Sequence, residues 1–186
     1  MAKKQINLNN TAKALDLYAK EVIKRAKRNL KISKKIDNKN RVTENTGSLG
    51  KSLAYKLTRG QSTINLKFVS SVKYAEFIEQ GVKGSKSSKK APKSPFKFKG
   101  KNVAEGVIEK WIRSPKIKLR NKDGQFIKKS DSNIKSSAYL IGRSIATKGI
   151  SPREFMKDAI RETKSRFAVN LKDGLLKDLR NSIKIS

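Results

Sequence analysis

The chain has 186 residues, no cysteine and no histidine, and its 46 Lys and Arg against 15 Asp and Glu give a net charge of +31. That excludes a disulfide framework, a thiolate metal site, and the usual imidazole base or zinc ligand. So large a charge opposes compaction by self-repulsion and favours an anionic partner or a larger assembly.

The length suits one domain, or a domain with an appendage. Hydrophobic residues are 35%, with eleven glycines besides. That is a little below the usual apolar share of roughly 45–50%, so a core is expected, but a thin one. A thin core points to a flat or elongated subunit, or to one completed by neighbours. Lysines outnumber arginines. Lysine is a hydrated point charge without the planar fork of arginine, so the bias suggests a generally basic surface more than a base reader. A Lys- and Asn-rich composition also follows from an AT-rich genome. No apolar stretch approaches the ~18 residues of a membrane span. "MAKKQINLNN" has no apolar segment behind its charges, which reads as a soluble intracellular product.

Residues 11–32 are predicted helical. Leu15, Ala19, Val22, Ile23, Ala26 and Leu30 recur at steps of three and four, which lines one face. Asn10 or Thr11 is the expected cap. Residues 33–47 are a polar connection. "KSLAYKL" and "TINLKF" then alternate, with Leu53, Tyr55 and Leu57 on one face and Ile64, Leu66 and Phe68 answering them. "TRGQS" between them supplies the turn of a β-hairpin. In "VKYAEFIEQG", Tyr74, Phe77 and Ile78 fit a short helix ended by Gly81.

The 19 residues from Lys83 to Lys101 hold eight lysines and no acid, and read as a mobile loop. Phe96 and Phe98 could return the chain to the sheet. Val103, Val107, Ile108, Trp111 and Ile112 mark a short helix stopped by Pro115. "IKLRNKDGQFIKK" reads as a small hairpin around Asp123-Gly124. A helix follows with Ile134, Ala138, Ile141 and Ile145 on one face and Gly149 as its stop. "SPRE" predicts a helix start, with Ser151 at the N-cap, Pro152 at the first position and Glu154 closing a capping box. That helix carries Phe155, Met156, Ala159, Ile160 and Phe167. After Asn170 a separate final helix carries Leu171, Leu175, Leu179 and Ile183.

The order predicts an α+β fold: a small antiparallel β-sheet with a β-hairpin, packed by an N-terminal helix and several C-terminal helices. A single domain is expected, with its core at 11–82 and 134–170, the basic loop at 83–101, a helix–hairpin elaboration at 103–133 and a C-terminal helix at 171–186. The free face and edges of the sheet need cover, which another subunit could supply.

Chemistry is sparse. Without His or Cys, catalysis would rest on carboxylates and lysine. Glu76 and Glu79, and Glu105 and Glu109, share helix faces, but read as surface acids answering nearby lysines. "TGSLGKS" ends like a phosphate-binding loop, yet Asn45 stands where its first glycine belongs, and a strand is expected next. No catalytic, metal or cofactor-binding residue is assigned. Lysines give salt-sensitive, sequence-blind affinity for nucleic acid. Single-strand binders interleave aromatics with such charge, and only Phe96 and Phe98 sit among the loop lysines.

Several stretches together resemble the tail-completion, or minor tail and neck, proteins of tailed phages. "NTGSLGKSLAYKL" is similar to that family's Thr-Gly-x-Leu-x-x-Ser approach to the sheet, "YAEFIEQG" to its Tyr-Ala-x-aromatic-x-Glu-x-Gly signature, "SPFKF" to its Pro-Phe after a variable loop, and "GISPREFMKDAI" to its closing helix. Thr46, Gly47, Leu49, Ser52, Tyr74, Ala75, Glu79, Gly81, Phe155 and Ala159 fit the pattern. The family's Gly-Thr after the acid is replaced here by Gln80, Gly81 and Val82. The resemblance implies a structural virion subunit, made in the host bacterial cytoplasm. It would form a ring at the head–tail junction with copies of itself and with portal, connector or tail proteins, and would have no cofactor, membrane or small-molecule partner. Lys83, Lys86, Lys89, Lys90, Lys93, Lys97 and Lys99 would then meet neighbouring proteins or genomic DNA in the channel. The alternative is a non-specific nucleic-acid-binding protein.

Overall fold

The structure is a computed structural model and describes residues 7–36, 39–41, 47–60, 63–100, 103, 105–115 and 117–184. In chain order the elements are α1 (Asn9–Lys31), β1 (Lys34–Ile36), β2 (Lys39–Arg41), α2 (Ser48–Ser52), β3 (Leu53–Arg59), β4 (Ile64–Ser70), α3 (Ala75–Gln80), β5 (Val82–Lys83), α4 (Glu105–Arg113), β6 (Leu119–Arg120), β7 (Phe126–Ile127), α5 (Asp131–Lys148), β8 (Gly149–Ile150) and α6 (Phe155–Lys184). The fold is α+β, and the strands among the described residues form four two-stranded antiparallel pairs. No described helix is long and apolar enough to cross a membrane.

The chain divides into two compact units, Met1–Ala75 with Glu154–Ser186, and Glu76–Arg153. The expected single core at 11–82 and 134–170 is therefore drawn differently. Residues 134–148 belong with the helix and hairpin that the sequence sets aside as an elaboration, because their apolar faces pack on one another.

In the first unit α1 buries Ala12, Ala19, Val22, Ala26 and Leu30. It runs antiparallel to α6, since Asn10 meets Asp178 at one end and Asn29 meets Phe155 at the other. α6 buries Phe155 and Ala159 near its start. Tyr18 stacks on Phe167, centroids 3.9 Å apart, and meets Phe68 edge-on at 6.4 Å. The β3–β4 register sets Tyr55 opposite Phe68 and Leu57 opposite Leu66, so the predicted apolar faces coincide. The Tyr55 hydroxyl donates to Asp16 on α1 at 2.6 Å.

The second unit has a core of Ile108, Ile112, Leu119, Ile134 and Ala138, with Val103, Ile127, Ile141 and Ile145 against it. Ser130 caps α5, accepting from the Asn133 amide at 3.3 Å. Gly149 ends the helix at φ +83.

Several local expectations are corrected. "SPRE" does not start a helix: residues 151–154 are non-helical and α6 begins at Phe155. The Arg153 amide donates to Ile78 O at 2.8 Å, which holds the chain along α3, and Glu154 takes the left-handed region at φ +53. The Glu154 carboxylate accepts from Lys157 at 2.6 Å. The two closing helices are one continuous helix of 30 residues. Leu175 and Ile183 of the predicted stripe are exposed, while Gly174 and Asp178 are buried. The face is turned because Gly174 admits the Asn10 backbone, where an added Cβ would lie 3.0 Å from Asn10 O. Neither Asn10 nor Thr11 caps α1 from ahead of it. The helix starts at Asn9, and Leu8, at the N-cap position, offers no side-chain bond. In α4 Ile108 and Ile112 are buried, and Val107 and Trp111 are exposed, since so short a helix turns a single stripe inward.

Candidate interface of the lysine segment

β5 is the axis of the candidate site. Val82 pairs with Ile150 and Lys83 with Gly149. On the other edge Lys83 forms a parallel bridge with Lys97, its amide donating to Phe96 O at 2.8 Å and its carbonyl accepting from the Phe98 amide at 2.9 Å. Phe96 and Phe98 thus do return the chain to a strand, but to β5 and not to the β3–β4 hairpin.

The lysine-rich run between these strands is not a loose loop. The Ser85 and Lys86 amides donate to Ala146 O and Thr147 O at 2.8 and 3.2 Å. Ala91 is buried. Ser94 is buried too, and its hydroxyl donates to Gly81 O at 2.7 Å while accepting from the Phe96 amide at 3.1 Å. Phe96 also meets Phe77 edge-on, centroids 4.7 Å apart. The expectation of a mobile loop is corrected here. The composition is that of a loop, but Ala91 and Ser94 pin the backbone inward while five of the lysines are exposed.

Gly81 is the junction. Its φ is +71, and an added Cβ would sit 2.5 Å from Ile150 O and 2.7 Å from Pro152 N. No side chain fits, so the glycine lets "YAEFIEQG" and "GISP" touch, with "SPF" held to the same peptide by Ser94. Three sequence-distant segments thus meet within one unit.

Around this framework Lys86, Lys89, Lys93, Lys97 and Lys99 are exposed, and Lys83 and Lys90 half-buried. Residues 80–104 contain no acid. The segment offers flexible point charges on a fixed backbone, an arrangement that can hold an anionic surface. Among the described residues no group of three or more His, Cys, Asp or Glu could hold a metal ion.

The remaining motif residues have local structural work. Gly47 sits left-handed, φ +77, ahead of α2. The "SLGKS" run is itself this short helix, and β3 begins only at Leu53. Leu49 is buried, and the Ser52 hydroxyl donates to Leu49 O at 2.7 Å and lies 2.8 Å from the Ser70 hydroxyl. Ala75 is buried and Tyr74 exposed. Glu79 is half-buried, one turn after the exposed Glu76 on α3. Thr46 lies outside the described residues.

A cleft of about 250 Å³ between α1 and α6 is lined by Leu17, Tyr18, Glu21, Arg25, Glu162, Thr163, Arg166, Phe167 and Asn170. Arg25 is already shared between Glu21 at 2.8 Å and Glu162 at 3.1 Å.

Sequence reasoning missed Asp178 and the outward pair Arg120 and Phe126 among other features. Asp178 gives no signal in its own neighbourhood. The outward pair Arg120 and Phe126 was legible in the alternation of "KLR" and "FIK". The chain matches no protein-family model, no curated protein and no solved structure.

Proposed function

We propose that the chain is a structural subunit of a tailed-phage virion, a tail-completion or neck protein that docks with copies of itself in a ring between portal and tail. One observation supports this above the others. Two of the segments carrying the resemblance, those around Ile150 and Ser94, pack against the Gly81 peptide that ends a third, where only glycine fits. Matches scattered by chance have no reason to converge. Exposed apolar side chains such as Leu17, Leu140 and Val169 agree with a subunit that finishes its burial against neighbours.

Mass spectrometry of tailed particles, purified from the organism encoding the chain, tests the reading. The chain should be present at a fixed low ring stoichiometry, and particles lacking it should fail to join head and tail. Tailed particles that are complete without it overturn the proposal.

A second reading, a non-specific nucleic-acid-binding protein, is favoured by the exposed lysines of an acid-free segment on an ordered backbone. It requires DNA affinity that falls steeply with salt, with a log–log slope of about −0.9 per phosphate neutralised. A flat slope removes it.

A further inference from the structure

The β6–β7 hairpin has two unlike faces. Its inner face, Leu119 opposite Ile127, closes the core of the second unit. Its outer face sets Arg120 opposite Phe126, flanked by Lys118 and Lys128, all four exposed. Phe126 is 59% exposed, a large apolar area to leave in water. The Arg120 guanidinium lies over the ring at 3.9 Å and the Lys118 ammonium at 5.3 Å. Arg120 Nη1 also donates to Gly124 O at 2.6 Å, which tethers the guanidinium beside the ring. The one carboxylate of residues 117–129 is Asp123, in the turn. Lys129 is directed elsewhere, donating to Ser114 O at 2.7 Å.

We propose that this face binds single-stranded nucleic acid, an unpaired base stacking on Phe126 and the Arg120 plane while Lys118 and Lys128 neutralise the adjoining phosphates. An oriented aromatic ring and guanidinium give an unpaired base flat surfaces to cover, and stacking of this kind is indifferent to base identity. The flanking ammonium groups supply the charge complementarity that draws a polyanion to the hairpin. A duplex keeps its bases stacked on one another and presents only its phosphates. The face therefore discriminates by strandedness, which the lysine segment, poor in exposed aromatics, does not.

Fluorescence anisotropy with fluorescein-labelled oligothymidylate and a duplex of equal length tests this on the full chain. Phe126→Ala should weaken oligothymidylate binding about 10-fold and leave duplex binding unchanged. Phe126→Trp should preserve or tighten it. Arg120→Lys, which keeps the charge and loses the plane, should weaken the single strand several-fold. Lys118→Glu with Lys128→Glu should weaken both probes and flatten the salt dependence. Phe126 contributes to no core, so circular dichroism and melting of Phe126→Ala should match the parent. Should that variant unfold, the Trp and Arg120→Lys comparisons decide. Equal binding of oligothymidylate by the parent and Phe126→Ala, or a Phe126→Ala loss that is the same for both probes, overturns the proposal without touching the ring reading.

Discussion

Asp178 and Thr11, 167 positions apart, are joined twice, the Thr11 amide and hydroxyl both donating to Asp178 Oδ2 at 2.8 and 2.7 Å. The Asn10 amide and side-chain amide donate to Oδ1 at 3.0 and 2.8 Å. Asp178 is 2% exposed. The first turn of α1, whose amides have no partner within the helix, is thus closed by a carboxylate from the far end of α6. That carboxylate also sits at the positive end of the helix dipole.

Replacing Asp178 by Ala should therefore cost far more than an exposed charge would. Four donors lose their acceptor, two of them backbone amides of the helix's first turn. A loss of about 2–4 kcal/mol is expected in urea unfolding, with Asp178→Asn losing roughly half as much. A change under about 0.5 kcal/mol would show that the clasp is incidental.

The same carboxylate should make stability depend on acid. Burial pushes the Asp178 carboxyl up, but the bonds from Thr11 and Asn10 outweigh it and hold it below its ordinary 3.8. A carboxyl depressed in the folded state contributes stability that is complete above its unfolded pKa and disappears as the pH falls through the folded value. Urea midpoints of the parent and Asp178→Asn should differ at pH 7 and converge once the pH has fallen from the ordinary 3.8 through the lowered folded value. A difference that persists into acid would mean the bonds do not favour the ionised form.

At Gly81 the constraint is steric. Gly81→Ala places a Cβ 2.5 Å from Ile150 O in a backbone already left-handed, whereas at Gly124, also left-handed at φ +82, nothing lies within 4 Å. Gly124→Ala should cost about 1 kcal/mol from the backbone alone. Gly81→Ala should exceed it by about 2 kcal/mol or more, as the three segments are forced apart. Equal costs, read from chemical unfolding, would deny the convergence at Gly81.

Much of this architecture is legible in the residues. α1 and the β3–β4 hairpin follow from periods of 3.6 and 2, because each buries one face against the other. Gly81 and Gly149 are readable as stops since left-handed backbone favours glycine. "SPRE" misleads because a capping box is a local signal, and the Arg153 amide is taken by Ile78 from a distant segment. The order in the lysine segment is hidden for a similar reason. It rests on two small residues, Ala91 and Ser94, that composition counts as loop formers. Asp178 is the extreme case, since nothing near it in sequence announces a cap for a helix so far away. Local pattern carries the elements, and what joins them depends on contacts between residues that pattern alone does not bring together.

Tyr55 should report the junction of α1 and β3. Its hydroxyl donates to Asp16, and that bond raises the phenol above its ordinary 10.0, aided by partial burial and the nearby negative charge. Asp16 is held below 3.8, first by Lys20 and then by Tyr55. In an ultraviolet titration, subtracting the Tyr55→Phe curve from that of the parent should isolate a phenol ionising above the free value. In Asp16→Asn the same difference should fall back toward it. Stability drawn from this bond is present below the unfolded phenol pKa and lost as the pH rises through the folded one. A Tyr55 that titrates normally in the parent would show that the two elements do not meet through this bond.

The lysine segment makes the sharpest contrast between composition and structure, and trypsin can expose it. Eight lysines in 19 residues would be cut at once in a loose loop. Cleavage needs an extended backbone, and here the amides of Ser85 and Lys86 are tied to α5 while Ser94 is tied to Gly81. Limited digestion should therefore start elsewhere, with the segment among the later cuts. Ser94→Ala leaves the buried Gly81 carbonyl without that donor, at about 1 kcal/mol. When opening and closing outpace cleavage, the rate follows the open population, so cutting at Lys86, Lys89, Lys90 and Lys93 should rise about fivefold. Mass spectrometry of the fragments reads both rates. Immediate cleavage of the parent at these lysines would mean that the segment is the free loop its composition suggests, and that Ala91 and Ser94 do not hold it.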